Sequence, residues 1–339
     1  MGSVSNHSNL DLPTRLCITM GDPAGIGPEV VLKALKNIGK TNEITFTIVG
    51  DFKHISSLNR TLNTGLILRG NGESQNAGEI RVFDLDNLNS KVEMGVTSAT
   101  CGKAAGEYIK TAVDLWESKQ IDAIVTAPIN KEALQAGGFD FPGHTEFLAE
   151  LTGTESFAMS FFAGSMAVVL LSTHVSLQEA IGLVKKDALV ELISFAEQVL
   201  RQLLSKPVKI AVAGLNPHAS EHGLFGEEEA KEITPAITYC REVLELDVSG
   251  PFSPDTVFLN AYKGAFDAVI SCYHDQATIA VKCLSFGASV NVTLGLPLIR
   301  TSVDHGTAFE IAGMNKADPS SMVAAIKLAA KLARIKQQN

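Results

Sequence analysis

Short apolar runs alternate along the chain with stretches in which apolar residues recur every three or four positions. The runs fall at residues 16–20, 44–49, 80–83, 123–126, 167–172, 210–213, 268–272 and 290–294. Rich in Val, Ile and Ala, they predict strands. Most are apolar at successive rather than alternate positions, as in strands covered on both faces. Helical periodicity falls at 29–36, 104–116, 188–204, 227–244 and 322–335. Before the last of these, Asp318 offers a capping acceptor and Pro319 suits a first helical turn. Strands alternating with helices predict an α/β protein with a largely parallel sheet and helices on both faces.

With 339 residues, the chain has room for about two domains at roughly 150 residues each. Hydrophobic residues make up 45% and charged ones 19%, enough for a sizeable core. The net charge of −9, without a long run of either sign, argues against nucleic acid as the main partner, because backbone neutralisation needs clustered Lys and Arg. A small anionic ligand needs only a few local cations. The cysteines, Cys17, Cys101, Cys240, Cys272 and Cys283, are odd in number and form no C-x-x-C pair. That argues against a disulfide framework or Cys-rich zinc site and for a reducing compartment. Residues 1–13 are polar and lack a signal-peptide core, and Asn6 stands where the myristoylation pattern begun by Met1-Gly2 needs Ser or Thr. No apolar stretch approaches a bilayer span. The expectation is a cytoplasmic protein with no membrane partner.

Three histidines carry the most chemistry. His174, His218 and His274 each follow a predicted strand by a few residues. In open α/β sheets the carboxyl ends of the strands are where ligands bind. Neutral imidazoles gathered there suit zinc or a similar divalent ion with positions left for substrate. His7 and His54 are expected at the surface and His222 in an exposed loop. Gly21, Gly25 and Gly27, with Glu29, lie in a turn from the first strand into a helix. Glycines let a ligand approach the backbone there, and the helix start offers free N–H groups. Val30 breaks the dinucleotide-binding G-x-G-x-x-G pattern, and Gly102-Lys103-Ala104 lacks the rest of a P-loop. Lys103 is expected simply in the first turn of a helix. His144 and Thr145 open another helix with donors for an anion. Arg300, at the exit of a strand, and Lys282, on the helix after His274, are the cationic candidates for phosphate or carboxylate. Asn291 stands at a strand start. Asp51 and Glu310 are candidate ribose partners.

Seven collinear segments together resemble one family. They are 21–29, 126–132, 143–146, 216–218, 250–256, 273–276 and 304–308, and the family is 4-hydroxythreonine-4-phosphate dehydrogenase, or PdxA. Segments 25–29 and 305–308 are also similar to the broader isocitrate and isopropylmalate dehydrogenases. The resemblance implies an isocitrate/isopropylmalate dehydrogenase-like fold of two α/β/α domains with a cleft between them. The expected division is residues 1–135 plus 297–339, and residues 136–296 with the dimer interface.

What the resemblance further implies is NAD-dependent oxidation and decarboxylation of 4-phosphooxy-L-threonine to 3-amino-2-oxopropyl phosphate in pyridoxal phosphate synthesis. The active form would be a homodimer whose site is shared across the interface. One divalent metal per site (Zn, Mg or Co) would be held by His174, His218 and His274, contributed by both subunits. Substrate would be contacted by His144, Thr145, Lys282, Asn291 and Arg300. Lys282 and Asp275 are the candidates for the proton-accepting group, and His305, Gly306 and Thr307 for the NAD site. The alternatives are a dehydrogenase for D-threonate or D-erythronate 4-phosphate, which differ from the first substrate at C2, and, further off, a phosphate-binding acyltransferase or a non-catalytic binding module.

Overall fold

The computed structural model describes residues 12–88, 91–285 and 287–338. The Met1-Gly2 start and His7 lie outside these residues. The chain divides into two units, 1–154 with 296–339, and 155–295.

The first unit begins β1 (Thr14–Thr19), α1 (Gly27–Ile38), β2 (Ile44–Gly50), α2 (Phe52–Thr61), β3 (Leu68–Arg69) and β4 (Ile80–Asp84). It continues α3 (Ala99–Glu117), β5 (Ala123–Thr126), α4 (Lys131–Ala136) and α5 (His144–Leu151). The second unit holds β6 (Ala158–Ala163), β7 (Met166–Leu170), α6 (Leu177–Leu183), α7 (Lys186–Leu204), β8 (Ile210–Ala213), α8 (Thr234–Glu242) and β9 (Val248–Phe252). It closes with α9 (Pro254–Tyr262), β10 (Ala268–Ser271), α10 (His274–Ser285) and β11 (Val290–Leu294). The chain then returns to the first unit for β12 (Ile299–Ser302) and α11 (Ser320–Gln337).

In the first unit the strand order is β3-β4-β2-β1-β5-β12, all parallel. Every residue of β5 and β12 is buried. Successive side chains point to opposite faces, so both faces are covered. Helix α11 packs on β12, β5 and β1 with α1 beside it, and α3 packs on β1 and β2. The expected boundary after residue 135 moves to Thr154, because α5 packs against α3 and Phe147 of α5 stacks on Phe141 at 4.4 Å. His144 and Thr145 therefore belong to the first unit.

In the second unit the order is β11-β6-β7-β10-β8-β9. Strands β7, β10, β8 and β9 are parallel, but β6 runs antiparallel to both β7 and β11. The largely parallel expectation holds with one departure, since residues 158–163 form a strand that the apolar-run reading passed over. The two-residue link Gly164-Ser165, with Gly164 at φ +60°, then turns β6 straight back into β7 as a hairpin. The core of this unit gathers Phe161, Met166, Val168, Leu170, Val257, Phe258, Val269 and Val281 from β6, β7, α9, β10 and α10.

Several local expectations also shift. Helix α3 starts at Ala99, capped by Ser98, which puts Lys103 in its second turn. Pro319 is the residue before α11, and Asp318 one step earlier accepts the Ser320 N–H at 2.9 Å. His54 is half-buried rather than exposed, its Nε2 shielded and unbonded. Arg300 lies inside β12 rather than at a strand exit.

Candidate active site

The order β7-β10-β8 sets three parallel strand exits side by side in the second unit. His174 follows β7, His274 opens α10 just after β10, and His218 follows β8. Side chains tie the exits together. Ser172 Oγ donates to the Cys272 carbonyl at 3.0 Å. The Gln276 amide, 8% exposed, donates from Nε2 to the Gly214 carbonyl at 2.8 Å and accepts the Cys272 N–H on Oε1 at 2.8 Å. The rings of His174 and His274 come within 5.7 Å of each other, centroid to centroid. His274 Nδ1 lies 2.7 Å from Asp275 Oδ1. With Asp275 ionised and Nδ1 carrying the proton, the lone pair sits on Nε2, the tautomer a metal ligand uses.

His218 stands apart. It is exposed, its ring 6.3 Å from that of Phe225, and it begins a run of left-handed backbone. Among the described residues no group of three or more His, Cys, Asp or Glu could hold an ion. The expected trio is thus an adjacent pair and a separate third within one chain. The donor chemistry of the pair fits a divalent ion: two imidazoles side by side, one oriented by a carboxylate. Lys282 is exposed on α10, and Asn291 is half-buried in β11 opposite Phe161.

In the first unit the exits of β1, β5 and β12 adjoin. Asp22 donates its N–H to the Pro128 carbonyl at 2.9 Å, and Ile26 donates its N–H to the Thr307 carbonyl at 3.0 Å. Segments 21–29, 126–132 and 304–308, far apart in sequence, therefore meet at one sheet edge. Gly25 is required there, since a Cβ would come within 2.9 Å of Thr307 Cβ. His305 is half-buried beside them, its Nε2 shielded and unbonded.

Arg300 is 3% exposed, and its Nε and Nη2 both donate to Thr126 Oγ1, at 3.1 and 2.9 Å. Burial lowers its pKa to about 10, so it stays a cation at neutral pH. His144, at the start of α5, has Nε2 shielded without a partner. Burial first, and the charge of Arg300 second, press its pKa well below the usual range. The pair is thus a fixed cation beside a neutral imidazole, an arrangement suited to an anion and a polar group of a ligand. Thr145 is buried one residue on.

Sequence reasoning gave no role to Ser172, or to Gln276 and Asp22 within the segments 273–276 and 21–29. Asp22 is fully buried, with Oδ1 accepting the Ala24 N–H at 2.8 Å and Oδ2 unbonded, and burial raises its pKa to about 6. Asp51 caps α2: its oxygens accept the N–H groups of His54 at 2.9 Å and Leu88 at 3.2 Å. Both bonds go to backbone N–H groups, so Asp51 holds the start of α2 and the 85–88 segment in place.

The family described as "Pyridoxal phosphate biosynthetic protein PdxA" matches residues 30–329. A Clostridium botulinum relative named "Putative D-threonate 4-phosphate dehydrogenase" is 44% identical over 93% of this chain and 95% of its own length. The 4-hydroxythreonine-4-phosphate dehydrogenase of Klebsiella pneumoniae superposes with a TM-score of 0.84 at 38% identity, covering 94% of this chain and 99% of the other. That of Burkholderia phymatum superposes with a TM-score of 0.80 at 41% identity, covering 94% and 98%. A match running nearly end to end, shared by sequence and fold, places the chain in the PdxA family of dehydrogenases.

Proposed function

We propose that the protein oxidises a small phosphorylated hydroxy acid with NAD, with help from one divalent ion, and that the oxidised acid then loses carbon dioxide. The observation that carries this reading is the His174–His274 pair with Asp275 behind it, at adjoining strand exits. The substrate favoured is 4-phosphooxy-L-threonine, giving 3-amino-2-oxopropyl phosphate. D-threonate 4-phosphate, with hydroxyl for amino at C2, is the second reading, supported by the name of the 44% identical relative.

When bound, the ion polarises substrate oxygens and NAD accepts the hydride. The chain's own groups do the rest. His174 and His274 are ligands, with Zn, Mg or Co as candidate ions, and Asp275 fixes the His274 tautomer. Arg300, held by Thr126, supplies positive charge to the phosphate or carboxylate, which an acidic chain otherwise repels. His144, neutral, bonds a substrate oxygen beside Thr145. Lys282 and Asn291 contact substrate as well, and Lys282 or Asp275 takes the hydroxyl proton. His305, Gly306 and Thr307 line the NAD site.

The site is completed by a second copy of the chain. Exposed apolar residues follow each candidate ligand: Val175 and Leu177 at 38% and 59%, Leu224 and Phe225 at 71% and 45%, and Ile279 at 62% exposure. Such residues in company favour burial against a partner, and a twofold pairing would bring His218 of the second copy to the His174–His274 pair. The test is NADH formation from each acid with the ion present. Turnover of either supports the reading and the ratio of kcat/KM assigns the substrate. Absence of NADH from both contradicts it.

A further inference from the structure

His218 begins a run of five consecutive non-glycine residues with positive φ, His218 at 53°, Ala219 at 51°, Ser220 at 72°, Glu221 at 45° and His222 at 60°. L-residues avoid this region, and single visits are the norm. A run of this kind persists only where surrounding bonds over-determine it. The bonds are visible. Glu229, 3% exposed, accepts the Asn216 backbone N–H on Oε1 at 2.7 Å and the Asn216 Nδ2 on Oε2 at 2.9 Å. Glu228 takes Nδ2 as well, at 2.8 Å. Inside the run, Ser220 Oγ donates to the Gly226 carbonyl and accepts the Gly223 N–H. Glu229 opens a π-helical turn, Glu229–Ile233, a rare form that is frequent at functional sites. Gly214 lets this carboxylate in, since a Cβ there would stand 3.2 Å from Glu229 Oε1 and 2.8 Å from Ala219 Cα.

We propose that Glu229 is a positioning residue for the ion site, clamping Asn216 so that the left-handed run presents His218 as a ligand. The inference rests on the metal reading above. A buried carboxylate is costly unless its hydrogen bonds are satisfied, and both oxygens of this one go to the residue two positions before His218. Glu229→Gln keeps an acceptor for the backbone N–H but sets an amide N–H against the Asn216 amide, donor to donor. Asn216→Ala removes only the side-chain half of the clamp.

The test is titration of the ion-stripped full-length protein with Co2+, read by its visible absorption, together with backbone hydrogen exchange across 214–226. Loss of an outer partner of a metal ligand weakens ion affinity by about 10–100-fold. Glu229→Gln is expected in that range, with faster exchange across 214–226 and unchanged exchange in the β7 and β10 segments. Asn216→Ala is expected to lose about tenfold, and it decides the matter should Glu229→Gln not fold. Glu197→Gln, at a buried carboxylate on α7, is expected to bind Co2+ like the native chain. Native-like Co2+ affinity in Glu229→Gln or, failing its folding, in Asn216→Ala overturns the proposal when His174→Ala has lost binding. Native-like affinity in both His174→Ala and His274→Ala overturns the metal reading itself, and the clamp falls with it.

Discussion

Gln276 joins two strand exits through one amide, donating to the Gly214 carbonyl and accepting the Cys272 N–H, each at 2.8 Å. The first bond reaches the segment leading to His218, and the second fixes the turn from which His274 projects. A side chain so placed sets where the candidate ligands stand without contacting an ion. Gln276→Leu should leave two buried backbone groups unbonded, costing about 1–3 kcal/mol each in stability. The outcome to check is a lowered Tm accompanied by weaker ion binding. Native-like values of both would show that the amide only fills space.

Arg300 and Thr126 make the corresponding statement in the first unit. Losing a buried charge-assisted contact to substrate costs about 2–5 kcal/mol of transition-state binding. Arg300→Ala should therefore lower kcat/KM by tens- to thousands-fold. Thr126→Val, which removes the oxygen that fixes the guanidinium, should lower it less. Lys336, exposed on α11, serves as control. Steady-state kinetics on the three variants checks the order, and a native-like Arg300→Ala would remove Arg300 from the site.

Much of this was legible in the sequence. The strand runs located His174, His218 and His274 at strand exits because apolar continuity marks strands buried on both faces; that the β7 and β10 exits are neighbours came from the sheet order. Residue type and placement singled out Arg300 and His144, and the resemblance gave them substrate to contact. What stayed hidden was what hydrogen bonds between distant segments decide. Nothing near residue 276 or 172 announces a tie to Gly214 or Cys272, and nothing at residues 218–222 announces left-handed backbone, since the run contains no glycine. Strand β6 escaped because its neighbours, not its periodicity, made it a strand. The boundary after Thr154 was set by aromatic packing of Phe147 on Phe141, which spacing does not encode.

Asp22 gives a pH test. Its folded pKa is raised from 3.8 to about 6 by burial. Its stabilising share is therefore complete below about pH 4 and is lost as pH rises through 6. Over that window the ionisation penalty reaches about 3 kcal/mol at 1.36 kcal/mol per unit. Asp22→Asn, which keeps an acceptor for Ala24, should match the native chain in stability near pH 4 and exceed it above pH 6. Denaturant melts across that range check this, and a difference independent of pH would contradict it.

Gly25 and Thr307 test the cofactor assignment. Gly25→Val would push the 304–308 loop away from the β1 exit, because even a Cβ stands 2.9 Å from Thr307 Cβ. The expected result is a KM for NAD raised about tenfold or more, with substrate KM less affected. An unchanged NAD KM in the folded variant would detach this loop from NAD.

If the second copy supplies His218, subunits carrying His174→Ala and subunits carrying His218→Ala should each be inactive alone. Mixed under conditions of subunit exchange, they should regain activity, since one hybrid site then holds native His174, His274 and His218. No recovery after confirmed exchange would place all three ligands within one chain.

The most direct measurement is NADH formation by enzyme stripped of divalent ions, before and after Zn2+, Co2+ or Mg2+ is returned. The account predicts no turnover of 4-phosphooxy-L-threonine or D-threonate 4-phosphate without an ion, and restored turnover with one. Full turnover in a sample verified to be ion-free would contradict it.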